Sequence, residues 1–126
     1  MPAPKTSIHA HCSVATCDHV QDTDRQAVMP NEAQIELAAQ MCHALSDPAR
    51  IRLLLRLTQG PLCVSELVAC EQARLSSVSA RLKTLHAARL VTRRRQAKHI
   101  FYALADEHVH DLLDNILNHA AEAAPA

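Results

Sequence analysis

Between Asp106 and Glu122 the chain places five acids (Asp106, Glu107, Asp111, Asp114, Glu122) and three histidines (His108, His110, His119), and not one Lys or Arg. Carboxylates and imidazoles at this density are the donors that a divalent metal ion takes. Val109, Leu112, Leu113, Ile116, Leu117 and Ala120 recur among them at helical spacing and form one apolar stripe, so the donors ride on an amphipathic helix. His108 and His119 return to nearly the same azimuth but sit about 16 Å apart along the axis. One helix cannot close both around a single ion, because ligand bonds to zinc are only about 2 Å long. Two antiparallel copies can, with Asp106 and His108 of one meeting His119 and Glu122 of the other. His119 and Glu122, three apart, share a face. Asp106 and His108, two apart, converge only if Asp106 stands outside the first turn. The spacing therefore suggests a two-fold dimer with two equivalent oxygen/nitrogen sites.

A second set of donors is softer. The segment His9-x-His11-Cys12-x4-Cys17-Asp18-His19 crowds thiols and imidazoles into a stretch with no helical apolar repeat. Residues 1–30, with Pro2, Pro4 and Pro30, read as a flexible tail that has no packing use for such residues, although composition alone can also assemble them by chance. Five cysteines (12, 17, 42, 63 and 70) form an odd set, and neither a leader-like apolar segment nor a membrane-length run is present. The expectation is a cytoplasmic protein with no membrane role, its thiols free, metal-bound or redox-active. Cys42 reads as a small core residue on the stripe of its helix. Cys70 is open between a buried small residue and a spare thiol.

The remaining chain must position these groups. Of 126 residues, 48% are hydrophobic, with one Gly, one Phe and one Tyr. That supports a real core and argues against an all-β fold. Asn31 to Leu45 reads as a first helix. Asp47-Pro48 supplies an N-cap and a first-turn proline for a second, with Ile51, Leu54, Leu55 and Leu57 inward, Arg50, Arg52 and Arg56 at the surface, and Gly60-Pro61 as its stop. Leu62 to Cys70 reads as a short third helix capped by Ser65. A tight turn leads to a fourth from Ser76 to His86, with Val78, Leu82 and Leu85 inward. Leu90–Arg95 and His99–Leu104 read as two strands around Gln96-Ala97-Lys98, a turn without the usual Gly or Asn.

Net charge is zero, yet eight basic residues (Arg74, Arg81, Lys83, Arg89, Arg93, Arg94, Arg95, Lys98) fall between Arg74 and His99 without an acid. Such a block suits a polyanion. Two short helices joined tightly, the second polar and basic, make a helix-turn-helix, and the cationic hairpin beside it makes a wing. Ser76, Ser77, Ser79, Arg81, Lys83 and Thr84 are the expected groove residues, with Arg93, Arg94, Arg95 and Lys98 straddling the backbone or entering the minor groove.

This order of elements resembles the ArsR/SmtB metal-sensing repressors over about residues 33–122. The resemblance rests on Leu45-Ser46-Asp47-Pro48-Ala49-Arg50-Ile51-Arg52-Leu53-Leu54, on Cys63-Val64-Ser65-Glu66-Leu67, on Ser77-Val78-Ser79-Ala80-Arg81-Leu82-Lys83-Thr84-Leu85, and on Leu90-Val91 leading into the wing. It implies a mainly α winged helix-turn-helix with a small β-hairpin, homodimeric through its terminal helices, that holds operator DNA when metal-free and releases it on metal binding. It implies a terminal-helix zinc site of Asp106, His108, His119 and Glu122. It also implies a second site joining Cys63 to the tail through Cys12 and Cys17. Where thiolate-rich sensors carry Cys-Val-Cys, position 65 here is Ser, which puts a four-thiolate site in doubt.

The domain expectation is a tail over 1–30, a DNA-binding and metal-sensing domain over 31–122, and a disordered end over 123–126. The functional expectation is a repressor of metal efflux or sequestration genes, responsive to zinc, with cadmium, lead or copper at the thiol site. Same-fold rivals respond to thiol oxidation or persulfidation. A different class, a metal buffer without a DNA role, leaves the basic block without a purpose. An enzyme is disfavoured: no His-Glu-x-x-His, phosphate loop or nucleophile-base pair is present, and four protein ligands leave zinc no open position.

Overall fold

The computed structural model describes residues 28–125, and its folded unit starts at Asn31. The tail donors Cys12 and Cys17, with His9, His11 and His19, lie outside the described residues.

Helix α1 spans Glu32–Ala44. Asn31 caps it reciprocally: its Oδ1 accepts from the Gln34 amide at 2.8 Å, and Gln34 Oε1 accepts from the Asn31 amide at 2.9 Å, so two otherwise orphaned donors are satisfied. Helix α2, Pro48–Leu57, begins as its sequence dictates, with Asp47 Oδ2 accepting from the Arg50 amide at 3.1 Å. Arg50 departs from the surface role expected of it. Its guanidinium turns back and donates to the Ala44 and His43 carbonyls at 2.7 and 3.2 Å, closing the open end of α1. The inward face of α2 is also rotated from the expectation. Leu53, Leu54 and Leu57 are buried, while Ile51 and Leu55 are half-buried. Gly60, at φ +136°, takes a backbone conformation open to glycine and leads the chain away from α2.

Residues 62 and 63 are not helical. They form β1, Leu62–Cys63, paired antiparallel to β3 through Leu62 with Tyr102 and Cys63 with Phe101. Helix α3 is therefore Val64–Glu71, and its N-cap residue is Cys63 rather than Ser65. The side chain that reaches back is Glu66, whose Oε1 accepts from the Cys63 amide at 2.9 Å. Gln72, left-handed at φ 51°, turns the chain into α4, Leu75–Ala87. The wing is β2, Val91–Gln96, and β3, His99–Leu104, in register from Val91 with Leu104 to Gln96 with His99. Its two-residue turn lacks glycine, and Ala97 itself takes the positive φ of 54°. The sheet order is β1-β3-β2. Helix α5, Glu107–Ala123, ends the unit.

The core joins Leu53, Leu54 and Leu57 of α2 to Leu67, to Val78, Leu82 and Leu85 of α4, to Tyr102 of β3, and to Val109 and Leu113 of α5. The apolar stripe expected on α5 thus splits. Val109 and Leu113 enter this core, whereas Leu112 and Ile116 stay 38% and 42% exposed. Cys42 and Cys70 are exposed, against the expectation of a core position for the first. Helix α1 meets the core through Met41, Ala44 and Leu45, and Cys42 lies on the other side of that line. No helix among the described residues is long and apolar enough to cross a membrane.

Candidate metal and nucleic-acid surfaces

Two surfaces of opposite charge emerge from the fold. On α5, Asp106 stands outside the first turn in extended backbone, φ −166°, and caps the helix by accepting from the Val109 amide at 3.2 Å. That placement lets residues two apart converge: Asp106 Oδ1 lies 3.6 Å from His108 Nδ1. About three turns later, His119 Nδ1 lies 3.7 Å from Glu122 Oε2. The structure thus brings Asp106 to His108 and His119 to Glu122, and the length of the helix holds the two pairs apart. The side chains of His108, His119 and Glu122 are 95%, 85% and 80% exposed, so their ring nitrogens and oxygens are open to an incoming ion. Two carboxylates and two imidazoles fit a borderline metal such as zinc.

The structure also gathers donors that spacing alone did not single out. Glu107, His110 and Asp111 bring ligand atoms within 4.8 Å of one another on a different side of α5, and His110 Nδ1 also lies 3.3 Å from Asp114 Oδ2. Their i, i+3, i+4 spacing was the available signal. Cys63 is buried, with Sγ 3.1 Å from the Ser65 hydroxyl. No second thiol is placed beside it by the described residues.

The basic surface is built by α4 and the wing. At about 100° per residue the outward arc of α4 is centred on Ser76, Ala80 and Ala87, small side chains that let the helix backbone approach a groove. Ser79 and Lys83 form one flank of that arc, and Ser77, Arg81 and Thr84 the other. Ser76, Lys83 and Thr84 are exposed, and Ser77, Ser79 and Arg81 are half-buried. Thr84 Oγ1 donates to the Ala80 carbonyl at 3.2 Å. In the wing every residue from Thr92 to His99 is exposed. Alternation places Arg93 and Arg95 on one face of the hairpin and Arg94 on the other. Leu75, Ser79, Lys98 and His99, with Cys63 and Ser65, line a hollow of about 350 Å³ between the start of α4 and the wing tip.

Two titrations are perturbed. The Glu66 carboxyl is held below the usual range by the Cys63 amide and side-chain hydrogen bonds, which outweigh the opposing effect of burial, with nearby His99 adding the smallest effect. The Arg56 guanidinium is pushed up by its hydrogen bond and attraction to Glu71. Glu71 takes Arg56 at 2.8 Å and Arg52 at 3.5 Å, tying α2 to the end of α3. Arg52 and Arg56 thus make the α2–α3 clamp while remaining exposed.

Residues 47–93 match the family described as "Bacterial regulatory protein, arsR family". A transcriptional repressor SmtB homolog of Synechocystis is 38% identical over 98 residues, covering 75% of this chain and 74% of that protein. The chain belongs to the ArsR/SmtB family. The HTH-type transcriptional repressor SmtB of Mycobacterium tuberculosis is 32% identical over 131 aligned positions, covering 97% of each chain. Among solved structures, the homodimeric winged helix-turn-helix DNA-binding domain of a possible ArsR-family regulator from Mycobacterium bovis superposes with a TM-score of 0.69 at 29% identity, covering 80% of this chain and 89% of that one. As an ArsR/SmtB protein the chain is a metal-sensing, DNA-binding transcriptional repressor and not an enzyme, and the winged helix-turn-helix is its fold.

Proposed function

We propose that this ArsR/SmtB chain represses as a homodimer that grips operator DNA when metal-free and lets go when zinc binds across the α5 helices. The observation that carries the reading is the division of the ligands on α5. Asp106 with His108 and His119 with Glu122 are paired at 3.6 and 3.7 Å, exposed, and on opposite ends of one helix. Between them Leu112 and Ile116 leave an apolar strip uncovered. An antiparallel second α5 would cover that strip and bring Asp106 and His108 against His119 and Glu122 of the partner subunit.

Zinc at such a site supplies a cross-link between the protomers. Its effect on DNA is differential: the dimer shape it favours must fit the operator worse. A preference of about 4 kcal/mol weakens operator binding about a thousandfold. By linkage, operator DNA weakens zinc binding by the same factor. Each protomer would offer α4 to one half-site of a palindrome, with the wing residues Arg93, Arg94, Arg95 and Lys98 on the flanking phosphates. The regulated genes are those of metal export or sequestration, and the protein acts in the cytoplasm.

A softer site at Cys63 with Cys12 and Cys17 is a second reading, supported by the burial of Cys63 beside the DNA-facing hollow. It would take cadmium, lead or cuprous copper. A mobility-shift titration on the DNA upstream of the gene separates these. The metal-free protein is expected to retard the duplex and zinc to release it. Release by cadmium or lead alone, lost in Cys63→Ser, would transfer the sensing role to the thiols. Release by peroxide or polysulfide and by no metal would replace metal sensing with thiol chemistry. Absence of salt-sensitive duplex binding would leave metal buffering.

A further inference from the structure

Leu75 is the most exposed large hydrophobic residue of the folded unit, at 59%. It occupies the first position of α4, the helix proposed to enter the groove. The hollow it borders is lined by Val64 and Ile100 on its apolar side and by Ser79, Lys98 and His99 on its polar side, with no acid in the lining itself. A leucine so placed is costly to hydrate and stands outside the core that Val78, Leu82 and Leu85 of the same helix fill. The wing-tip side of the hollow carries Lys98, and Glu66 is already engaged by the Cys63 amide at 2.9 Å, so this side suits the polyanionic DNA major groove. There the apolar feature that distinguishes one base pair from another is the C5 methyl group of thymine.

We propose that Leu75 reads a thymine methyl group in each operator half-site. Ser76 and Ser79 allow the close approach, Lys98 holds the adjacent phosphate, and Leu75 selects thymine over cytosine at one position. This inference rests on the DNA-facing reading of α4. It extends that reading from a hydroxyl-and-cation surface, which positions, to an apolar contact, which specifies.

The test uses the full-length metal-free protein and operator duplexes in which each thymine in turn is replaced by uracil, a change that deletes the methyl group alone. Fluorescence anisotropy should find one thymine per half-site whose replacement weakens wild-type binding about three- to fivefold, the effect of burying a single methyl group. Leu75→Ala should bind thymine and uracil operators equally at that position with an unchanged salt slope, and Leu75→Met should retain most of the difference. Circular dichroism should show both variants folded, since the side chain lies outside the core. A wild type that binds the operator without any methyl effect, or a Leu75→Ala protein that keeps it, overturns the assignment to Leu75 and leaves the DNA reading standing. A wild type that binds no duplex in a salt-sensitive way overturns both.

Discussion

The basic surface and the acidic helix are built on opposite terms. One chain supplies the whole of the first: α3, the left-handed turn at Gln72, α4 and the wing are locked together through Val78, Leu82, Leu85 and Tyr102. The second, as proposed, is divided between Asp106 with His108 at one end of α5 and His119 with Glu122 at the other, with Leu112 and Ile116 exposed between them. A surface complete in each protomer can grip DNA without instruction. A site split between protomers can bind its ion only in a particular dimer geometry, and for that reason its occupancy can report on geometry. The separation of the two is what allows one to regulate the other.

The sharpest way to break this comparison is to remove one ligand from the divided site. His119→Ala should leave metal-free operator binding at the wild-type level, while zinc, expected to weaken wild-type operator binding about a thousandfold, should shift the variant by less than about tenfold. A variant that still releases DNA fully would dissolve the contrast. His110→Ala sharpens it from the other side. Glu107, His110 and Asp111 converge within one helix, so losing His110 should leave zinc-dependent release intact if the regulatory site must span two protomers. Calorimetric stoichiometry would show whether an ion is lost all the same.

Next in size is the wing. Replacing Arg93, Arg94 and Arg95 together by Ala should weaken binding across all sequences. It should also reduce the slope of log affinity against log salt by about one for each phosphate left without its arginine. Zinc responsiveness of the residual binding should survive, because none of these residues touches α5's donors. An unchanged salt slope would take the wing off the DNA.

Much of this division was legible in the sequence. Helical periodicity located α5, and the eleven-residue interval put His108 and His119 too far apart to share one ion on a single helix. Acid-free composition from Arg74 to His99 marked the other surface. What spacing missed was decided by tertiary partners. Leu62 and Cys63 read as helix, but pairing with Tyr102 and Phe101 makes them a strand. Arg50 read as solvated, but the open carbonyls of α1 capture it. Cys42 read as core because an amphipathic stripe does not reveal how much of it the same chain covers, a limit that also hid the split of the α5 stripe. Leu75 was passed over because an exposed leucine has no sequence signature until the neighbours that leave it bare are known.

A third effect concerns the frame rather than either surface. Asp47→Ala removes the N-cap of α2 and the carboxylate 4.0 Å from Arg50, and should lower stability by about 1 kcal/mol, the usual cost of losing such a cap. A thermal melt reads it, and DNA and zinc responses of the folded fraction should be unaltered.

The smallest expected effect links frame and surface through Glu66. Its carboxylate accepts from the Cys63 amide at the start of α3, and its pKa is held below the usual range chiefly by that bond. On acidification the unfolded chain therefore takes up the Glu66 proton before the folded chain does. The contribution is fully present above the unfolded carboxylate pKa of about 4.3 and is lost as pH falls through the lower folded value. Wild type should lose stability over that window, and Glu66→Gln, which keeps an acceptor without the titration, should lose less. Cys63 also lines the hollow that Leu75 borders, so loss of this cap is expected to loosen that lining. Denaturant melts between neutral pH and about pH 3, below the unfolded carboxylate range, would sink the idea if the two proteins fell in parallel. A divergence confined to the acid window would place the start of α3, rather than α5, as the point where protonation reaches the helix-turn-helix.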